Sequence, residues 1–332
     1  MRAHLPSETS VSGEFQRQED AFREWVSNDG STSYPAIAGR YHLYVSLACP
    51  WASRTVIFRK LKGLEETIGM TIVDPIRDDK GWAFRDAERT RPGSLSNLDE
   101  FESTDPVNSF HYLSEAYKAT DPNFNQRVTV PVLWDKETKK IVNNCEDDIC
   151  RMFNNTFNAL ARNKDVDFFP KDLEAEHSKL CDFLYENVNN GVYKAGFATC
   201  QRPYEISARK LFDALDTLEK RLASSRYLFG NRIVEADWRL FCTLVRFDVV
   251  YHGHFKCNIR RIIDYPNLEG HLMDLYQQPG ILETVSFDHI KRHYYMTHAE
   301  INPTLIVPIG PILDLTKTHN RERLGQKTQP DY

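Results

Sequence analysis

Tyr41-His-Leu-Tyr-Val-Ser-Leu-Ala-Cys49-Pro-Trp-Ala-Ser-Arg-Thr-Val-Ile-Phe-Arg-Lys-Leu-Lys62 changes its period in the middle. Tyr41–Ser46 carries the aromatic and branched side chains of a strand. Ser53–Lys62 sets Val56, Ile57 and Leu61 on one helical face. Cys49 falls at the junction, and Pro50 suits a first helical turn, where its missing N–H would have had no partner. The N–H groups of that turn and the positive end of the helix dipole favour a thiolate. Such positions bring a cysteine pKa from about 8.5 to roughly 3.5–7.5. A dithiol oxidoreductase has a second cysteine three residues on, but here that residue is Ala52. An adduct on Cys49 must then be released by an outside thiol, which favours glutathione chemistry.

Outward from this stretch, Ile68–Val73 reads as a second strand and Ser109–Thr120 as a helix led by Asp105-Pro106. Val130–Trp134 and Lys140–Val142 read as short strands joined by a turn at Asp135–Thr138, followed by a helix over Asp147–Phe153. The order β-α-β-α-β-β-α is that of a thioredoxin-like domain, expected over residues 41–160. Val130-Pro131 fits it: in such domains a cis-proline opens the third strand and exposes the preceding backbone to a peptide-like ligand. After Lys164 the pattern becomes helical, most clearly over Tyr204–Ser225, where Ile206, Leu211, Leu215, Leu218 and Leu222 recur at helical spacing. The reading is α/β plus all-α: an arm over 1–40 with one short helix at Glu19–Val26, the thioredoxin-like domain, a helical domain over 165–300 and an irregular tail over 301–332.

Composition narrows the function. A net charge of −5 with mixed-sign segments offers no basic stripe, so nucleic acid is not expected as a partner. Apolar stretches such as Leu305–Leu313 fall far short of the roughly 20 residues of a membrane span. The first thirty residues lack the apolar core of a secretory signal, and a cytoplasmic protein is expected. Seven widely spaced cysteines suggest no disulfide framework. Cys145-x4-Cys150 and His252-x-His254-x2-Cys257 lack a second pair at zinc spacing, so no metal is expected.

With these residues in place the chain resembles the Xi class of glutathione transferases, the glutathionyl-hydroquinone reductases related to the omega class. The resemblance runs from Tyr44 to Gly310. It is carried by Ser46–Arg54, Gly81–Phe84, Arg127–Asp135, Asn189–Ala198, Val245–Asp248, His254–Cys257, Phe287–Ile290 and Ile301–Thr304. It implies a homodimeric enzyme in which the Cys49 thiolate removes glutathione from a glutathionyl-hydroquinone. It places Trp82 and Val130 against glutathione, with Arg127 in reach of a glutathione carboxylate. Tyr193, Tyr251 and Tyr294 are candidate donors to the oxygens of the quinol ring. The alternatives are a transferase dedicated to another pathway of quinone or polyketide-derived aromatics, and a non-catalytic binding member of the superfamily.

Two positions depart from the pattern. The superfamily carries Glu-Ser at the helix start that receives the γ-glutamyl end of glutathione; here the pair falls on Cys145-Glu146, or on Glu146-Asp147 with a one-residue shift. A Glu146 carboxylate about 4 Å from a ligand carboxylate would repel it by about 4 kcal/mol at an effective dielectric of about 20. The second is Val234, where a serine or threonine cap is usual; its loss costs about 1 kcal/mol.

Overall fold

Tyr41–Val45 forms β1, entirely buried, and leads through Ser46–Cys49 into helix α1 (Pro50–Leu61) in the computed structural model, which describes residues 8–85 and 104–324. β2 (Gly69–Ile72) pairs parallel to β1, β3 (Val132–Asp135) pairs antiparallel to β1, and β4 (Lys140–Asn143) antiparallel to β3. The sheet order β2-β1-β3-β4, with α2 (Leu113–Thr120) and α3 (Glu146–Arg151), is that of a thioredoxin-like domain. The buried pair Arg40–Asp135 closes the lower end of β1 on β3 with bonds of 2.8 and 2.7 Å. Residues 1–7 of the arm, 86–103 of the insertion and 325–332 of the tail lie outside the described residues.

Two elements differ from the sequence reading. Glu19–Val26 is extended, because its backbone is taken up along β4: Glu24 N–H donates to Val142 O at 3.0 Å and Asn144 N–H to Phe22 O at 3.1 Å. The expected helix at Ser109 begins only at Leu113. Ser109 has a φ of 59°, and residues 111–113 bond to the strand-like stretch 82–84 instead.

The chain divides into two compact units. The first comprises Gln18–Val166 and Thr284–Val307, the second the segment ending at Arg17, Asp167–Glu283 and the segment beginning at Pro308. The expected helical stretch 165–300 is therefore shared. Residues 167–283 build the second unit, while its last helix packs into the first. The expected arm is likewise divided at Arg17.

The second unit contains α4 (Glu174–Leu184), α5 (Gly191–Gly196), α6 (Gln201–Leu222), α7 (Glu235–Arg246) and α8 (Pro266–Tyr276). Leu211, Leu215, Leu218 and Leu222 of α6 are buried as expected, but Ile206 is exposed. It stands five positions before Leu211, an offset that rotates it off the apolar stripe; Ala208 lies on the buried side instead. Gly196 permits a close approach, since a β-carbon there would meet the Phe255 ring at 2.2 Å. No helix among the described residues is long and apolar enough to cross a membrane. Helix α9 (Phe287–Thr297) returns to the first unit, capped by Ser286, whose hydroxyl accepts from His289 N–H at 3.2 Å.

Candidate active site

Cys49 is the N-cap of α1. Its extended backbone (φ −78°, ψ 122°) precedes Pro50, and its carbonyl accepts the first helical bond from Ser53 N–H at 3.0 Å. The half-buried thiol donates to the Val130 carbonyl at 3.6 Å. The Val130–Pro131 peptide is cis, and β3 begins one residue later. A strand end and a strand start, 81 residues apart in the chain, thus bring a helix-terminal sulfur against peptide backbone.

Arg127 lies on the approach to this strand. Its backbone is held by the Gln18 amide, which accepts from Arg127 N–H at 3.2 Å and donates to Arg127 O at 3.1 Å. Trp82 is buried in the stretch between β2 and α2, where its indole stacks on His293 at 5.0 Å with a 20° tilt.

Glu146 and Asp147 open α3, and Arg54 answers both. The buried Arg54 guanidinium donates to Glu146 Oε1 at 3.0 Å and to Asp147 Oδ1. This pairing offsets part of the negative charge at Glu146. Burial, and then the Asp147 carboxylate, raise the pKa of Glu146, against the pull of Arg54. Asp20, Cys145 and Glu146 also converge, their donor atoms within 4.8 Å of one another. Burial above all, then Glu146, pushes the Cys145 thiol far up, so it stays protonated beside these carboxylates. Arg54 belonged to the quoted motif, but nothing in the sequence paired it with residues more than ninety positions away.

The three tyrosines do not share one unit. Tyr193 on α5 and the fully buried Tyr251 lie in the second unit with ring centroids 6.0 Å apart, both packed on Phe255. The Arg17 guanidinium lies 4.7 Å over the Tyr193 ring, a contact the sequence did not signal. Tyr294 is buried in the first unit against His293 and His298.

A second cluster of metal-type donors joins His177, Cys181 and Glu235 within the second unit. The Glu235 carboxylate there is paired with Arg239 at 3.0 Å, and the Cys181 sulfur is nearly equidistant from both His177 nitrogens, 3.5 and 3.7 Å. His177 Nε2 and the Cys181 thiol also reach Glu235 Oε2, at 3.3 and 3.2 Å, so hydrogen bonds join the three side chains. His254, kept neutral by burial with its pKa down to about 4, and Cys257, whose sulfur faces Val192 O at 3.9 Å, belong to the core.

A helix-capping cysteine facing a cis-proline strand, on a thioredoxin-like sheet followed by a helical unit, defines a glutathione transferase. Family models agree: glutathione S-transferase, N-terminal domain matches residues 48–156, and glutathione S-transferase, C-terminal domain matches residues 201–272. The chain is 48% identical over 319 residues to glutathionyl-hydroquinone reductase YqjG of Escherichia coli, covering 94% of each protein. It is 42% identical over 302 residues to glutathionyl-hydroquinone reductase PcpF of Sphingobium chlorophenolicum, covering 91% of each. The glutathione-bound structure of YqjG superposes with a TM-score of 0.83, covering 91% of this chain and 96% of that one. Glutathione-S-transferase Xi of Phanerochaete chrysosporium superposes at 0.85 with 47% identity, covering 92% and 95%. The chain belongs to the Xi class of the glutathione transferase superfamily.

Proposed function

We propose that this enzyme removes glutathione from glutathionyl-hydroquinones through a Cys49–glutathione mixed disulfide. The observation that carries the reading is the Cys49 sulfur at the α1 N-terminus, 3.6 Å from the Val130 carbonyl, with alanine at the position of a resolving cysteine. The relatives described as glutathionyl-hydroquinone reductases, one of them solved with glutathione bound, support it.

In the first step the Cys49 thiolate attacks the glutathionyl sulfur of the keto tautomer. A sulfur–sulfur bond forms, the sulfur–carbon bond breaks, and its electron pair leaves with the ring, which takes up a proton as hydroquinone. In the second step a glutathione thiolate attacks the glutathionyl sulfur of the mixed disulfide. Oxidised glutathione leaves and the Cys49 thiolate is restored. The glutathione peptide pairs with the Val130 backbone, beside Trp82 and Arg127. Its γ-glutamyl end meets the start of α3, where the helix N–H groups attract its carboxylate and the Glu146 charge, offset in part by Arg54, opposes it. Tyr193, Tyr251 and Tyr294 serve the ring oxygens. The enzyme acts without a metal, as a cytoplasmic homodimer.

Steady-state assay with glutathione and a glutathionyl-hydroquinone, wild type against Cys49→Ser, tests the reading. Loss of turnover by about a thousandfold or more is expected; serine activity near wild type sinks it. Phenylalanine at each tyrosine should lower turnover and leave glutathione affinity unchanged. Three unaffected variants would remove the tyrosines from the ring site.

A further inference from the structure

Trp82 stands on a segment with no helix or strand of its own, yet its backbone is fixed on both sides. Asp78 and Gly81 bond each other across a tight turn that needs the glycine's φ of 106°. The Trp82 carbonyl then accepts from Leu113 N–H at 2.9 Å, and Phe84 N–H donates to His111 O at 3.0 Å. These bonds leave the rotation of the indole to its neighbours. The His293 imidazole covers it at 5.0 Å, nearly parallel. His293 is itself oriented: its Nδ1 lies 2.8 Å from the Pro75 carbonyl, an acceptor only, so Nδ1 carries the proton and donates. One turn on, Thr297 Oγ1 accepts from Arg77 N–H at 3.2 Å, so the same face of α9 holds both the loop after β2 and the ring of Trp82.

We propose that His293 is a positioning residue for glutathione, acting through Trp82. The late helix α9 thereby supplies part of the glutathione half of the enzyme. The inference rests on the reading that Trp82 faces glutathione. Stacking and tether can be separated, because phenylalanine keeps a ring without the N–H, and asparagine keeps a short amide donor without the ring.

Steady-state kinetics of four variants test it. His293→Ala should raise KM for glutathione about tenfold, with kcat at saturating glutathione within about twofold of wild type. His293→Phe should keep KM close to wild type, and His293→Asn should resemble the alanine variant. If the alanine variant does not fold, the phenylalanine and asparagine pair decides alone. An asparagine rescue without a phenylalanine rescue overturns the stacking role, and so does a fall in kcat at fixed KM. Trp82→Ala distinguishes the two failures. Raised KM in that variant with none in His293→Ala overturns this inference alone, whereas unchanged KM in Trp82→Ala overturns the placement of Trp82 at glutathione.

Discussion

The Arg54 guanidinium lies 3.0 Å from the Glu146 carboxylate while also holding Asp147, so one buried cation serves two acids at the start of α3. Removing the cation leaves the acids opposed. Arg54→Met should destabilise the fold by about 3 kcal/mol, since breaking a buried pair costs more than the pair contributes. Denaturant unfolding would measure this. Glu146→Ser removes one acid and leaves Arg54 with Asp147. Because Arg54 already compensates part of the charge, glutathione affinity should rise only about threefold, and less at high salt. Titration calorimetry at two ionic strengths checks it, and weaker binding would instead make Glu146 a partner of the ligand's amino group.

Cys49 should label with iodoacetamide at a midpoint well below 8.5, the reference value, because it occupies the N-cap position of α1, at the positive end of the helix dipole. A rate-against-pH curve with a midpoint at or above that reference would remove the helix-terminus argument.

Asp237 is a hub of the second unit. Its buried carboxylate accepts from Leu228 N–H at 2.9 Å, Val234 N–H at 3.0 Å and His271 Nε2 at 2.9 Å. The bond to Val234 N–H supplies the half of a capping box that a valine cap leaves intact. Asp237→Ala should cost about 3 kcal/mol or more, since three buried donors lose their acceptor. Val234→Thr should add up to about 1 kcal/mol. Thermal melts of both variants provide the comparison.

Acid should destabilise the fold through two buried histidines. Burial holds His42 and His254 neutral, with pKa values pushed down to about 4 from an ordinary 6.5. Between those values the unfolded chain binds more protons than the folded one. Stability is therefore complete above about 6.5 and lost as pH falls towards 4, by up to about 3 kcal/mol for each histidine. Melting temperatures from pH 7 to 4.5 should fall, and His254→Gln should flatten the slope. An unchanged slope would show that the buried imidazole is not its source.

What could be read from the sequence was local. Cys49-Pro50 announces a helix start within two residues, and Val130-Pro131 a strand start, so the core of the site needed no tertiary information. The Glu19–Val26 segment misled because backbone bonds to β4, which no local pattern reports, decide its conformation. Arg54, Arg17 and His293 went unread for a common reason: each meets its partner across 92 residues or more of chain, and no periodicity reports such a pairing. The division of residues 284–307 from the other helices was hidden likewise, since α9 carries the same amphipathic pattern wherever it packs.

That division governs how the polypeptide can be made and recombined. Emerging from a ribosome, residues 18–166 wait through the synthesis of more than a hundred others before the helix carrying His293 arrives. Neither unit is a contiguous stretch that gene fusion or proteolysis could lift out intact, because the backbone leaves each one and comes back to it. A shortened transcript ending at residue 283 would carry Cys49 and Val130 but leave the Trp82 indole without its stacking partner.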